Sequence, residues 1–184
     1  GLANGGPRPY GYEYFRGEPG RAGLLMQVSA EVEIVRRIFR EAAAGKLAHL
    51  KETAADCLAL IVLLDQFPRN MFRGTPRAFA TDPLALEIAR HAVARGFDRS
   101  LLPMERLFVY LPFEHSENLA DQERACDLTQ PLDLVVPELK AYSYALAHRD
   151  IIRRFGRFPH RNAILGRAST PEEIEFLKQP GSGF

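Results

Sequence analysis

The chain has 184 residues, 46% apolar and 26% charged, with a formal net charge of +1. That balance suits one globular domain, or a domain with a short appendage, and argues against a nucleic-acid surface spread over the whole molecule. The two cysteines, Cys57 and Cys126, form no metal-ligand spacing and no disulfide framework, so a reducing cytoplasm is the expected compartment. The longest apolar run, residues 57–64, is far too short to cross a bilayer, and no basic-then-apolar leader opens the chain.

Residues 1–28 read as an irregular arm of loop or short-hairpin material: glycines and prolines mix with Tyr10, Tyr12, Tyr14 and Phe15, and nothing in them has a packable period. The chain begins at Gly1 and its first methionine is Met26, so this arm is expected to be a fragment, a fusion remnant or a processed end. From Ser29 onward the pattern is helical. Ser29 is placed as N-cap of a helix ending at Gly45, with Val32, Val35, Ile38, Phe39 and Ala42 on one face. A second helix is expected over 47–66. Its centre is apolar all round, as a helix in the middle of a bundle must be, and Cys57 within it is read as a small core residue.

Pro68 is expected to stop that helix, and Asp82-Pro83 to start the next, with Asp82 as N-cap and Gly96 as terminator. Shorter helices are placed at 103–110, broken by Leu111-Pro112, and at 116–129. A long one is placed at 137–155, closed by Gly156. Thr170-Pro171-Glu172-Glu173 is a capping box with proline at the first helical position. The fold class is therefore all-α, a helix-hairpin bundle, with residues 29–184 as the helical domain.

One phrase occurs twice, as Phe67-Pro68-Arg69-Asn70 and as Phe158-Pro159-His160-Arg161-Asn162. Each copy sets an Arg-Asn pair beside a proline at a helix end, where the side chains can point into the gap. Around the first copy, Asp65 follows the apolar helix centre and so needs a partner, most simply an arginine. Gln66, Arg69, Asn70 and Arg73 complete that cluster. Around the second, His148 on the preceding helix joins Arg157, His160, Arg161, Asn162 and Arg167, which follow on a loop anchored by Phe155, Phe158 and Pro159. Anchoring of that kind holds guanidinium groups against the protein, facing a carboxylate or an anionic ligand.

A third cluster, Glu114-His115-Ser116-Glu117, sets carboxylates beside an imidazole, the pairing that acid–base chemistry uses. Glu114, His115 and Glu117 are the candidate catalytic residues. The same residues read equally as a capped, hydrogen-bonded corner before a helix. His148 or His160 could extend the cluster into a metal shell, but no His-x-x-x-His spacing supports one and no metal ligand is assigned. His148, on an apolar stripe with Tyr144 and Ile152, also reads as a satisfied core histidine.

Residues 47–184 resemble the bacterial family known as domain of unknown function 924. The resemblance is carried by Leu63-Leu64-Asp65-Gln66-Phe67-Pro68-Arg69-Asn70, Phe72-Arg73-Gly74, Phe79-Ala80-Thr81-Asp82, Leu111-Pro112-Phe113-Glu114-His115-Ser116-Glu117, His148-Arg149-Asp150, Arg157-Phe158-Pro159-His160-Arg161-Asn162 and Leu165-Gly166-Arg167. It implies a helical fold similar to tetratricopeptide-repeat proteins and brings no reaction or cofactor. Residues 1–46 resemble the opening of the recombinase domain of serine site-specific recombinases, through Gly5-Gly6-Pro7-Arg8-Pro9-Tyr10-Gly11-Tyr12 and Glu33-Ile34-Val35-Arg36-Arg37-Ile38-Phe39. The catalytic serine domain and zinc ribbon of such enzymes have no counterpart here, so the origin of 29–46 stays open and nucleic-acid binding is a minor reading. The leading expectation is a groove that binds a small anionic molecule or an acidic peptide. The alternative is a hydrolase using the Glu114–Glu117 corner.

Overall fold

The computed structural model describes residues 12–15, 24–27 and 29–183, and the Gly5-to-Gly11 part of the recombinase-like motif lies outside them. The chain divides into two compact units, 1–47 and 48–184. In the first, β1 (Tyr12–Phe15) pairs antiparallel with β2 (Leu24–Gln27), and α1 spans Ser29–Ala43. Phe39 and Ala42 of its expected inner face are buried, whereas Ile38 is exposed.

The second unit is all helical. It contains α2 (Ala54–Ile61), α3 (Phe67–Met71), α4 (Asp82–Ala94), α5 (Pro103–Glu114), α6 (Leu119–Val135), α7 (Ala141–Phe155) and α8 (Pro171–Leu177), joined by 3₁₀ turns. Helix α2 packs on α4 and α5, α4 on α5, α5 on α6 and α7, and α6 along α7; α8 rests on the Pro159–Arg161 turn. Cys57, Leu60, Ile61 and Leu64 are buried at the centre, against small residues (Ala85, Ala89 and Ala92) that let α4 come close. Thr53 caps α2 through its side chain, and Thr170 with Glu173 forms the capping box expected of α8. Gly156 closes α7 with φ 69°, a left-handed conformation that favours glycine.

Pro68 does not end the apolar helix, as its lack of an N–H suggested it would. The chain passes from α2 through a π turn at Val62–Gln66, in which the Phe67 N–H reaches the Val62 carbonyl, directly into α3. A proline at 68 cannot donate to the Leu64 carbonyl, and that oxygen instead accepts the Thr81 hydroxyl at 2.6 Å. The broadened turn is thus satisfied from outside the helix. Pro112 likewise sits inside α5, which continues to Glu114. Asn118, not residue 116 or 117, caps α6, which runs on to Val135. The expected start of α7 at Pro137 proves to be a 3₁₀ turn, and the helix begins at Ala141, whose N–H and that of Tyr142 are capped by the Asp133 carboxylate. Among the described residues no helix is long and apolar enough to cross a membrane.

Candidate functional site

Both copies of the repeated phrase arrive at one aspartate. Arg69 of the first copy holds the Asp82 carboxylate with two bonds, Nη1 to Oδ1 at 2.8 Å and Nη2 to Oδ2 at 3.0 Å. Arg161 of the second copy reaches Asp82 Oδ2 through Nη1 at 3.4 Å. Asp82, expected as a helix cap, is the junction of the two motifs, while Thr81 occupies the cap position of α4. No side-chain pattern marks Asp82 in the sequence, beyond its place in the Phe79-Ala80-Thr81-Asp82 motif.

From Asp82 the contacts run in a closed ring. Arg69 Nη1 also meets the Asp65 carbonyl at 2.8 Å and Asp65 Oδ1 at 3.2 Å. The same Oδ1 lies 2.6 Å from Nδ1 of His115, and Gln66 donates to the other carboxylate oxygen at 2.6 Å. The His115 ring stands 6.4 Å from that of His148, which stands 5.7 Å from Phe158. The Arg161 guanidinium carbon lies 4.6 Å from the ring centroids of both Phe79 and Phe158, and Arg161 leads back to Asp82. His160 packs its ring 5.6 Å from Phe158. Segments far apart in sequence thus meet at one place: Asp65, Gln66 and Arg69 from the π turn and α3, His115 from the end of α5, His148 from α7, and Arg161 and His160 from the turn after it.

The environment sorts these groups by charge. Burial alone would raise the pKa of Asp65, but His115, Arg69 and Gln66 outweigh it and hold the carboxyl below its usual range. Glu114, its neighbour in the cluster, is 1% exposed. Burial, helped by the Asp65 charge, pushes its pKa up to about 8, so it is mostly protonated at neutral pH. Burial pushes His148 and His160 down to about 4, which leaves both imidazoles neutral. Arg161 is lowered to about 10, by burial first and with Asp82 opposing. Arg69 and Arg161 therefore cancel Asp65 and Asp82, and the neutral Glu114 adds no negative charge beside His115.

Nitrogens of His115 and of Arg161 are left without a hydrogen-bond partner among the described residues. All of His115's hydrogen bonding goes through Nδ1; Nε2 has no partner among the described residues, and the side chain is 15% exposed. Arg161 Nε is sealed from solvent without an acceptor, and Nη2 also lacks one but keeps contact with solvent. Among the described residues no three His, Cys, Asp or Glu side chains gather as a metal ion would need.

The remaining candidates lie in a neighbouring, saturated network. Arg157 grips Glu173 with Nε and Nη2 at 2.7 and 2.8 Å. Asn162 donates to Glu173 at 3.2 Å and to Ser169 at 3.0 Å, and accepts from Arg167 Nε at 3.0 Å. Arg167 forks onto Glu117 at 2.7 and 2.9 Å, and Glu117 also accepts the Phe158 N–H at 2.8 Å. Burial alone would raise the pKa of Glu117, but Arg167 and that N–H hold it below its usual value. Asn70 turns back to the Gln66 carbonyl at 3.0 Å, and Arg73 is exposed. Sequence reasoning missed the roles of Asp82, Phe79 and Glu173, whose partners include residues more than ten positions away, and that of Gln122, whose amide turns back to the carbonyls of Phe113, Glu114 and Ser116. A shallow cavity of about 270 Å³ opens elsewhere, lined by Ala147, Asp150, Ile151, Arg154, Phe155 and Phe176, with no ring residue in its wall.

A family profile described as a bacterial protein of unknown function, DUF924, matches residues 27–181. A solved structure, that of the Agrobacterium tumefaciens protein of unknown function ATU0120, is 48% identical, with 82% of each chain covered and a TM-score of 0.74. No curated protein matches.

Proposed function

The chain belongs to the bacterial DUF924 family, of unknown function, and we propose that its Arg161–His115 ring binds a small molecule carrying a carboxylate or a phosphate. The observation that carries this reading is the pair of unpartnered, solvent-touching nitrogens, Arg161 Nη2 and His115 Nε2, in a ring whose members come from segments far apart in the sequence. A buried guanidinium costs several kcal/mol of lost hydration unless its donors are met, so one left partly unmet is poised for an acceptor. An anion supplies it. Phe79 and Phe158 hold the guanidinium plane, so little ordering entropy is lost on binding.

Of the arginines expected to line the site, this reading keeps Arg161 as the contact and gives Arg69 the task of fixing Asp82 and Asp65. Arg157 and Arg167 are committed to Glu173 and Glu117, and serve to hold the Phe158–Asn162 turn. A tetratricopeptide-like stacking of hairpins, which the family resemblance implied, would set such a site in a concave face.

Thermal shift tests the proposal. A ligand at ten times its Kd stabilises by about 1.4 kcal/mol, which is about 4 °C for a chain of this length. Inorganic phosphate, succinate, glutarate and adipate are each added at about 10 mM. At least one is expected to raise Tm by that amount in the native chain and to leave Arg161→Gln unmoved. No shift with any of them, or an equal shift in the variant, overturns it.

A further inference from the structure

The ring holds more than a binding site needs. His115 carries Asp65 on one nitrogen at 2.6 Å and, among the described residues, has no partner on the other. An imidazole whose Nδ1–H donates to a buried carboxylate is fixed in the tautomer with a lone pair on Nε2, and the carboxylate stabilises the imidazolium that forms when Nε2 takes a proton. The corner carrying His115 is also held rigidly. Gln122, fully buried on α6, directs its amide nitrogen to the carbonyls of Glu114 and Ser116, each at 2.6 Å, and to that of Phe113 at 3.4 Å. The carbonyls of Glu114, the last residue of α5, and of Ser116 flank His115, so Gln122 fixes the backbone on both sides of it.

Resting on the anion site above, we propose that His115, oriented by Asp65, is the general base of a hydrolase for small esters that carry a free carboxylate. Water is the attacking group, because neither nearby nucleophile is presented to the base. The Ser116 hydroxyl donates to Asp121 at 2.8 Å, and Cys126 is buried with its thiol pKa pushed up by burial. The ester's free carboxylate docks on Arg161 Nη2, which brings the acyl carbon toward Nε2. His115 Nε2 removes a proton from water as its oxygen bonds to the acyl carbon. The tetrahedral adduct then expels the alkoxide by breaking the acyl C–O bond, and the imidazolium returns its proton to that alkoxide. Ester and water give acid and alcohol, and His115 ends as it began. Glu114, buried and mostly protonated at neutral pH, touches neither water nor ester. Gln122 is a positioning residue.

The probes are the monomethyl esters of succinate, glutarate and adipate, with methanol release followed by proton NMR. The native chain is expected to release methanol above the buffer rate from at least one ester. His115→Gln is expected to lose that activity by about 100-fold or more, with an unchanged circular dichroism spectrum. Gln122→Met is expected to lower kcat about 10-fold with KM unchanged. If dicarboxylates raise Tm but no ester yields methanol, the hydrolase is overturned and the binding site stands. If neither occurs, both fall. Turnover that survives His115→Gln in a folded variant also overturns the proposal.

Discussion

Two neighbouring networks use the same ingredients and differ in what they leave over. In one, Glu173 takes Arg157, Asn162 and the Thr170 N–H, while Thr170 returns its hydroxyl to the Glu173 N–H. Both Glu173 carboxylate oxygens and the Asn162 amide are paired there, and Glu173 is pulled down to about 2, chiefly by Arg157. In the other, Asp82 takes Arg69 fully and Arg161 only at 3.4 Å, and His115 is used on one side alone. The second copy of the repeated phrase contributes to both, since Asn162 belongs to the closed network and Arg161 to the open one. Saturation marks scaffold; an unmet donor beside solvent marks where a ligand belongs.

That contrast breaks most readily at Glu173. Replacing it with alanine strands Arg157 and Asn162 and removes the capping box, so Glu173→Ala is expected to lower Tm by about 10 °C. Below that fall, the shift produced by a binding anion should be preserved. Calorimetry with and without the dicarboxylates checks both halves, and loss of the ligand shift in a folded variant would merge the two networks into one.

A smaller effect follows from Glu114. Its folded pKa of about 8 stands above its ordinary value of 4.5. The contribution of Glu114 to stability is therefore full below about pH 4.5, falls as pH rises, and levels off beyond about pH 8. Glu114→Gln removes that dependence. The Tm of the variant relative to the native chain is expected to gain on the order of 5 °C between about pH 5 and about pH 8. A gap independent of pH would show that the carboxyl is ionised in the fold.

The histidines act in the opposite sense. His148 and His160 are lowered to about 4 from 6.5, so their contribution is present above about pH 6.5 and lost as pH falls through about 4. His148→Gln should flatten part of the acid limb of a Tm-against-pH curve. The smallest change expected is at Arg161→Gln. Asp82 keeps both bonds to Arg69, so Tm should fall by less than half the amount seen for Glu173→Ala, while ligand response disappears.

Much of this was readable in advance because it is local. The apolar centre of α2, the capping box at Thr170 and the Gly156 terminator each depend on residues within one or two turns. Asp65 could be expected buried and paired for the same reason. The prolines misled because their missing N–H was treated as a break, whereas at Pro68 a threonine far along the chain supplies the donor. Pairing of arginines with carboxylates was the least legible part. Arg167 finds Glu117 fifty positions away and Arg161 finds Asp82 seventy-nine away, and at such separations composition names the ingredients but not the couples.

The central claim is that a ligand sits at the unpartnered Arg161 Nη2 and His115 Nε2 of the ring. A crystal structure of the protein grown with adipate tests it most directly. The account predicts a carboxylate within hydrogen-bond distance of Arg161 Nη2, with His115 Nε2 facing the ligand and the Glu173 network unchanged. A carboxylate bound at Arg157 or Arg167 in place of Glu173 or Glu117, with the Arg161 ring empty, would contradict it.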